Sequence, residues 1–199
     1  MTHINYNKSD KDPTGERPGP WLQTFTGLRF FPLDIQAQDI VIEDIAHALS
    51  MLCRYNGHTL RFYSVAEHCV LMLQHVRRRG GQTTRFLRSV LMHDAAEAYL
   101  GDYPHAMKLI LPEVKELEKK IEAVIVKKFD LDVRYAAAKG IKMLDRRIIR
   151  NERDALMPGT HPWVADEYTP LDVKVQGLIP AAAERAFLSA FSEVKGGTS

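Results

Sequence analysis

Several ionisable side chains stand where an apolar one is expected. Between residues 86 and 97 the apolar stripe Phe86, Leu87, Val90 and Leu91 is continued at helical spacing by His93, Asp94 and Glu97, which lie along or beside it. His68 has Val65 and Met72 at i−3 and i+4, and Asp145 has Ile141 and Ile148 at i−4 and i+3. An ionisable group turned toward a core is costly unless it is paired or bound to a metal. His68, His93, Asp94 and Asp145 supply two imidazoles and two carboxylates from three predicted helices. A mixed nitrogen and oxygen set of this kind suits a divalent ion such as Mn, Fe, Co, Ni, Zn or Mg.

Each residue taken alone also has a bland account. A His-Asp dipeptide arises by chance about half a time in a chain of this composition. A lone histidine on an apolar face is more often a satisfied core residue than a ligand. Asp145, followed by Arg146 and Arg147, could be half of a structural ion pair. The ordered set on three inward-facing stripes reverses that balance.

The elements that must carry these groups are helical. Residues 42–55 bear Ile42, Ile45, Ala46, Leu49 and Leu52 at three- and four-residue spacing. Ser64 followed by Glu67 is a capping-box pattern, opening a helix that runs to about Arg79 and stops at Gly80-Gly81. A third helix is expected over about 82–100, ending at Gly101. A fourth starts at Pro112 with Val114, Leu117, Ile121, Val124 and Ile125 on one stripe, and a fifth spans about 133–156 with Gly140 as a bend. Pro180 opens a last amphipathic helix. Residues 21–38 read as an irregular segment or a short hairpin around Gly27 and Pro32. The fold class is therefore all-α, with a polar tail at 1–20, a mostly irregular N-terminal segment and one compact domain over 21–199.

Composition narrows the function classes. Of the 199 residues, Lys and Arg number 27 against 25 Asp and Glu, a net charge of +2 that argues against a nucleic-acid binder or a polybasic membrane clamp. The sequence has no apolar run near the roughly 18 residues of a membrane span, and the first 20 residues lack the apolar region of a signal peptide. Cys53 and Cys69 sit in apolar segments without metal-like spacing and read as buried thiols of a reducing compartment, so a cytoplasmic protein is expected. No P-loop, GxGxxG, HExxH or GxSxG pattern is present. Arg77-Arg78-Arg79 fits the last turn of its helix, where cations meet the dipole. Arg146, Arg147, Arg150 and Arg153 suit surface pairing with Glu152 and Asp154 as well as they suit phosphate. Trp21 and Tyr55 could stack on a base, though burial explains either.

The order H…HD…D resembles the HD-domain metal-dependent phosphohydrolase superfamily. The segments IEDIAHALSMLCRYNGHTLRFYSVAEHC, LMHDAAEAYLGDYPHAMK and MLDRRIIRNERDAL are similar to its small branch of 5′-deoxynucleotidases and phage-type deoxynucleoside triphosphate hydrolases, dATP-specific members among them. The likeness covers about 21–194. It implies a compact HD-domain helical fold, with His68, His93, Asp94 and Asp145 as ligands of the divalent ion. It further implies that Glu97 is the catalytic acid and Asp102 a second acidic residue near the substrate. Arg54 falls close to a phosphate-contacting arginine of the relatives. Their GD-x-P-x-P-x-K pattern is GDYPHAMK here, with Ala106 replacing the second proline and Lys108 keeping the basic group.

Four protein ligands leave one or two positions open on the ion, and a metal-bound water can have a pKa near about 7. Glu97 or Asp102 could protonate the departing 5′-oxygen. The expected reaction is cleavage between the 5′-oxygen and the α-phosphorus, best matched by dATP giving deoxyadenosine and triphosphate. Alternatives are a 5′-deoxynucleotidase acting on deoxynucleoside monophosphates, a second-messenger phosphodiesterase or alarmone hydrolase, and a non-catalytic nucleotide-binding regulatory domain. The resemblance implies a homo-oligomer, dimer or hexamer, with a small nucleotide as substrate and neither nucleic acid nor membrane as partner. Its setting would be the cytoplasm, that of the host if the chain is phage-encoded.

Overall fold

The helical periodicities hold along most of the chain in the computed structural model, which describes residues 12, 14–159 and 161–194. The architecture is all-α, with a single two-stranded hairpin. β1 (Leu22–Gln23) pairs antiparallel with β2 (Arg29–Phe30), Leu22 opposite Phe30. Gly27, at φ 87°, supplies the left-handed residue that the connecting turn requires. Residues 1–11 and 13 of the expected tail lie outside the described residues. The remainder docks on this chain: the Arg17 guanidinium lies 4.0 Å over the Phe31 ring and 2.7 Å from Asp39.

The helices are α1 (Ile42–Met51), α2 (Val65–Arg79), α3 (Thr84–Leu91), α4 (Glu97–Leu100), α5 (His105–Ile110), α6 (Pro112–Lys128), α7 (Tyr135–Leu156) and α8 (Pro180–Val194). α2 is the central one. Eleven of its fifteen residues are buried, as expected of a helix packed on nearly all sides. α1, α3, α7 and α8 surround it, and α1 and α8 also pack along each other. Ile45, Leu49, Met72, Leu91, Ile148 and Phe187 meet in one apolar cluster. No helix among the described residues is long and apolar enough to cross a membrane.

Three local expectations change. The helix expected over 82–100 is interrupted: α3 stops at Leu91 and α4 begins at Glu97. Between them the backbone tightens into successive i→i+3 turns, with Ala95 N donating to Met92 O and Glu97 N to Asp94 O, both at 3.0 Å. The sequence had no breaker there, because the interruption serves side chains rather than local propensity. The first helix ends at Met51 rather than Tyr55, since residues 52–53 turn extended to bridge Ser64. The capping box at the start of α2 is half formed. Ser64 Oγ accepts from Glu67 N at 3.1 Å, but the Glu67 carboxylate turns away to accept the backbone N–H groups of Gln176, Gly177 and Leu178 at 2.7, 3.1 and 2.6 Å. Three donors of an otherwise irregular strand outweigh the single donor that a capping box would satisfy. By contrast α7 runs unbroken through Gly140, against which the Phe86 ring of α3 sits.

Candidate metal centre

Three regions deliver the expected ligands to one point. α2 carries His68 on its fully buried face, α7 carries Asp145, and the turns between α3 and α4 carry His93 and Asp94. His68 Nε2 lies 3.2 Å from His93 Nε2, 3.4 Å from Asp145 Oδ1 and 3.6 Å from Asp94 Oδ2. His93 Nε2 is 3.2 Å from the same Asp94 oxygen. All four residues singled out in the sequence therefore converge.

The donor set suits a cation because of what holds each imidazole from behind. His68 Nδ1 is 2.6 Å from Glu152 Oε1, and His93 Nδ1 is 2.9 Å from the carbonyl of Val90. Both partners accept, so each Nδ1 carries a hydrogen and the two Nε2 atoms face one point. Burial opposes charge on either ring, but Glu152 and Asp145 raise His68 and Asp94 raises His93 well above its usual value, so positive charge is favoured between the two Nε2 atoms, and a divalent ion would supply it in place of those protons. Cys69 and His93 with Asp94 form a second grouping of metal-type side chains. It is the poorer one: burial pushes the Cys69 thiol up, away from thiolate, and the His93 nitrogen it approaches, at 3.8 Å, is Nδ1, which already donates to Val90.

Glu152 is the residue that sequence reading misplaced. Read there as a surface partner for neighbouring arginines, it is fully buried. Besides His68 it accepts from Tyr63 Oη at 3.0 Å and from Tyr55 Oη, and it lies 3.4 Å from Arg54 Nε. Burial opposes its charge, but Arg54 and His68 outweigh that and bring its pKa down to about 2. The signal was in the spacing. Glu152 lies seven residues after Asp145, two turns along the same face of α7, with Ile148 between them.

The acidic candidates line one wall of the adjoining cleft. Glu97, at the start of α4, is buried; Lys108 Nζ lies 3.1 Å from its Oε1, while Oε2 has no hydrogen-bond partner among the described residues. Burial, then the charges of Asp94 and Asp102, push the Glu97 carboxyl well above the usual range, with Lys108 and Arg54 opposing. Burial raises Asp102 too, with Arg54 opposing. Asp94 and Asp145 move the other way, since His93 and His68 overcome the burial cost and hold them ionised. One site thus contains two carboxylates shifted toward the charged form, suited to binding a cation, and one shifted toward the protonated form, suited to donating a proton.

Arg54 and Lys108 both reach this cleft, with Glu97, Asp102 and Asp145 among the other lining residues. Arg54 is buried and placed 3.5 Å from Asp94. An antiparallel bridge between Cys53 and Ser64 brings it beside the start of α2, with Arg54 N donating to Tyr63 O at 2.9 Å. Lys108 on α5 is gripped by Glu118 at 2.5 Å as well as by Glu97. Three of the four arginines after Asp145 are engaged away from the centre: Arg147 on the carbonyls of Thr169 and Pro170, Arg150 on that of Asp166, and Arg153 on Asp154 and Asp166.

No protein-family model matches the chain. Among curated proteins it is 37% identical over 177 residues to the uncharacterized protein YfdR of Escherichia coli (strain K12), an alignment spanning 87% of this chain and 95% of YfdR. It is also 36% identical over 115 residues to the uncharacterized protein RCAP_rcc00048 of Rhodobacter capsulatus, spanning 56% of this chain and 59% of that protein.

Proposed function

The chain belongs to the family of Escherichia coli YfdR, and from the residues of this member we propose a metal-dependent deoxynucleotide phosphohydrolase of the HD-domain type. It cleaves the bond between the 5′-oxygen and the α-phosphorus, with dATP giving deoxyadenosine and inorganic triphosphate as the leading reaction. The observation that carries this reading is the pair of imidazole Nε2 atoms 3.2 Å apart, with Asp94 and Asp145 within 3.6 Å of His68 and the buried Glu97 in the adjoining cleft.

His68, His93, Asp94 and Asp145 would hold the ion, which when bound supplies an activated water and draws charge from the phosphoryl group. Arg54 offers a buried guanidinium to a phosphate oxygen, and its contacts with Asp94 and Glu152 keep it in place. Glu97 donates its proton to the departing 5′-oxygen, so that the nucleoside leaves as an alcohol rather than an alkoxide. Lys108 holds one Glu97 oxygen, and the other is buried without a hydrogen-bond partner among the described residues. Asp102 lines the same cleft and is the second candidate for this role.

One observation favours a second reading, a 5′-deoxynucleotidase. Arg54 and Lys108 are already matched by carboxylates, Arg54 by Glu152 and Asp94, and Lys108 by Glu118. That leaves little free positive charge for β- and γ-phosphates. Product analysis decides. Purified protein with Mn, Co or Mg is offered dATP and dAMP and the products are separated by chromatography. Triphosphate from dATP upholds the leading reaction, orthophosphate from dAMP the second, and no hydrolysis of either with any ion overturns both.

A further inference from the structure

The cleft holding Arg54, Glu97 and Asp102 encloses about 260 Å³, below the range of about 300–1,000 Å³ typical of small-molecule sites. It can take a phosphoryl group and water, but the nucleoside must lie elsewhere. A second cleft of about 660 Å³ opens beside it. Tyr55, His105, Asp145 and Ile149 border both, so the two are continuous at the metal centre.

This larger cleft lies between α7 and the loop at 162–168. Its walls are the rings of Tyr55, Trp163 and Tyr168 over Ile149, with Lys142 and Arg146 at the edge. The Tyr55 and Trp163 rings stand 6.0 Å apart at 58°. Both are fixed in place. Trp163 N donates to Asp166 Oδ2 at 2.9 Å, and Asp166 is tied to α7 by Arg153 and, through its carbonyl, by Arg150 at 2.9 Å. Tyr55 adopts φ 57°, a left-handed conformation uncommon for a bulky residue, and its hydroxyl donates to Glu152 behind His68. One tyrosine therefore joins the backing of a metal ligand to the wall of the neighbouring cleft.

We propose that this cleft is the base subsite, in which the planar nucleobase of a nucleoside 5′-phosphate stacks on the Trp163 ring, with Tyr55 beside it, while the phosphoryl group lies at the His–Asp cluster. The inference rests on the phosphohydrolase reading. Aromatic side chains recognise any base through its π face, and Arg146, 3.4 Å from Tyr168 Oη, adds a guanidinium plane at the rim. The other space at the centre is a pocket of about 360 Å³ beyond His93. Its lining mixes aliphatic side chains such as Met92, Ile125, Leu131 and Ile141 with the ionisable His93, Glu122, Lys142 and Asp145, and has no Phe, Tyr or Trp on which a base could stack.

The sequence contains two tryptophans, Trp21 and Trp163, which makes the test direct. In a Trp21→Phe chain the only indole is Trp163, and its fluorescence is titrated separately with deoxyadenosine, dAMP and inorganic phosphate. Quenching by deoxyadenosine and dAMP but not by phosphate is expected. In the otherwise unaltered chain, Trp163→Ala should raise KM for the nucleotide by about 5- to 100-fold, with kcat changed far less and partial recovery in Trp163→Phe. Turnover with unquenched Trp163 and an unchanged KM in Trp163→Ala overturns the subsite and leaves the phosphohydrolase reading standing. Quenching by deoxyadenosine in a protein that hydrolyses no nucleotide upholds the subsite and overturns the reaction. Should Trp163→Ala fail to fold, the fluorescence titration decides alone.

Discussion

The two halves of the metal centre are built differently. His68 and Asp145 sit inside long, uninterrupted helices, α2 and α7, and Glu152 on α7 braces His68 from behind. His93, Asp94, Glu97 and Asp102 come from a segment broken into tight turns, a one-turn helix and a positive-φ Gly101. The regular half fixes positions with buried packing. The broken half places four ionisable groups within ten residues, more than one face of a straight helix could aim at a single point. Rigidity and chemical density are thus supplied by separate elements, and the cleft lies between them.

The largest test of that division removes a ligand from either half. His68→Ala and His93→Ala should each abolish metal binding and turnover together, as measured by elemental analysis and assay. Full metal content in either variant would show that one half suffices. Glu97→Ala probes the broken half alone: metal content should stay near normal while the rate falls by about 10²–10⁴. The sign of its pH dependence follows from the raised carboxyl. An acid acts while protonated, so activity through Glu97 should fall as pH rises, at a higher pH than an ordinary glutamate would give. Glu97→Gln should abolish that alkaline limb in a pH–rate profile.

Glu152→Gln probes the regular half. It keeps the side chain's shape but weakens the hold on His68 Nδ1, so the metal dissociation constant should rise by about 10–100-fold, read by calorimetric titration. An unchanged constant would make Glu152 a partner of Arg54 and the two tyrosines only. The smallest effect is expected at Gly101, whose φ of 95° and ψ of 156° belong to a region other residues avoid. An added Cβ would meet nothing closer than Tyr103 at 3.9 Å, so the cost of Gly101→Ala is backbone strain of about 1–3 kcal/mol. Denaturant unfolding should register it, and a stability equal to the parent's would show that the broken segment relaxes without strain.

Much of this was legible in one dimension. Helix positions follow from apolar spacing, and His68, His93, Asp94 and Asp145 were marked by being ionisable on apolar stripes, a signal carried by each helix on its own. Caps and stops were local too: Ser64 opens α2 and Gly80 closes it. Three features were not local. The break between α3 and α4 carries no Gly or Pro. Glu67 keeps a capping-box spacing yet binds three backbone donors more than a hundred residues away. Glu152, set among arginines in the sequence, is turned inward by the packing of α7 on α2. Periodicity states which face of a helix is apolar, because that depends only on neighbours one turn away. Which distant donor completes a buried carboxylate, and which loop rings close over a cleft, depend on how the faces meet, and only the tertiary structure decides that.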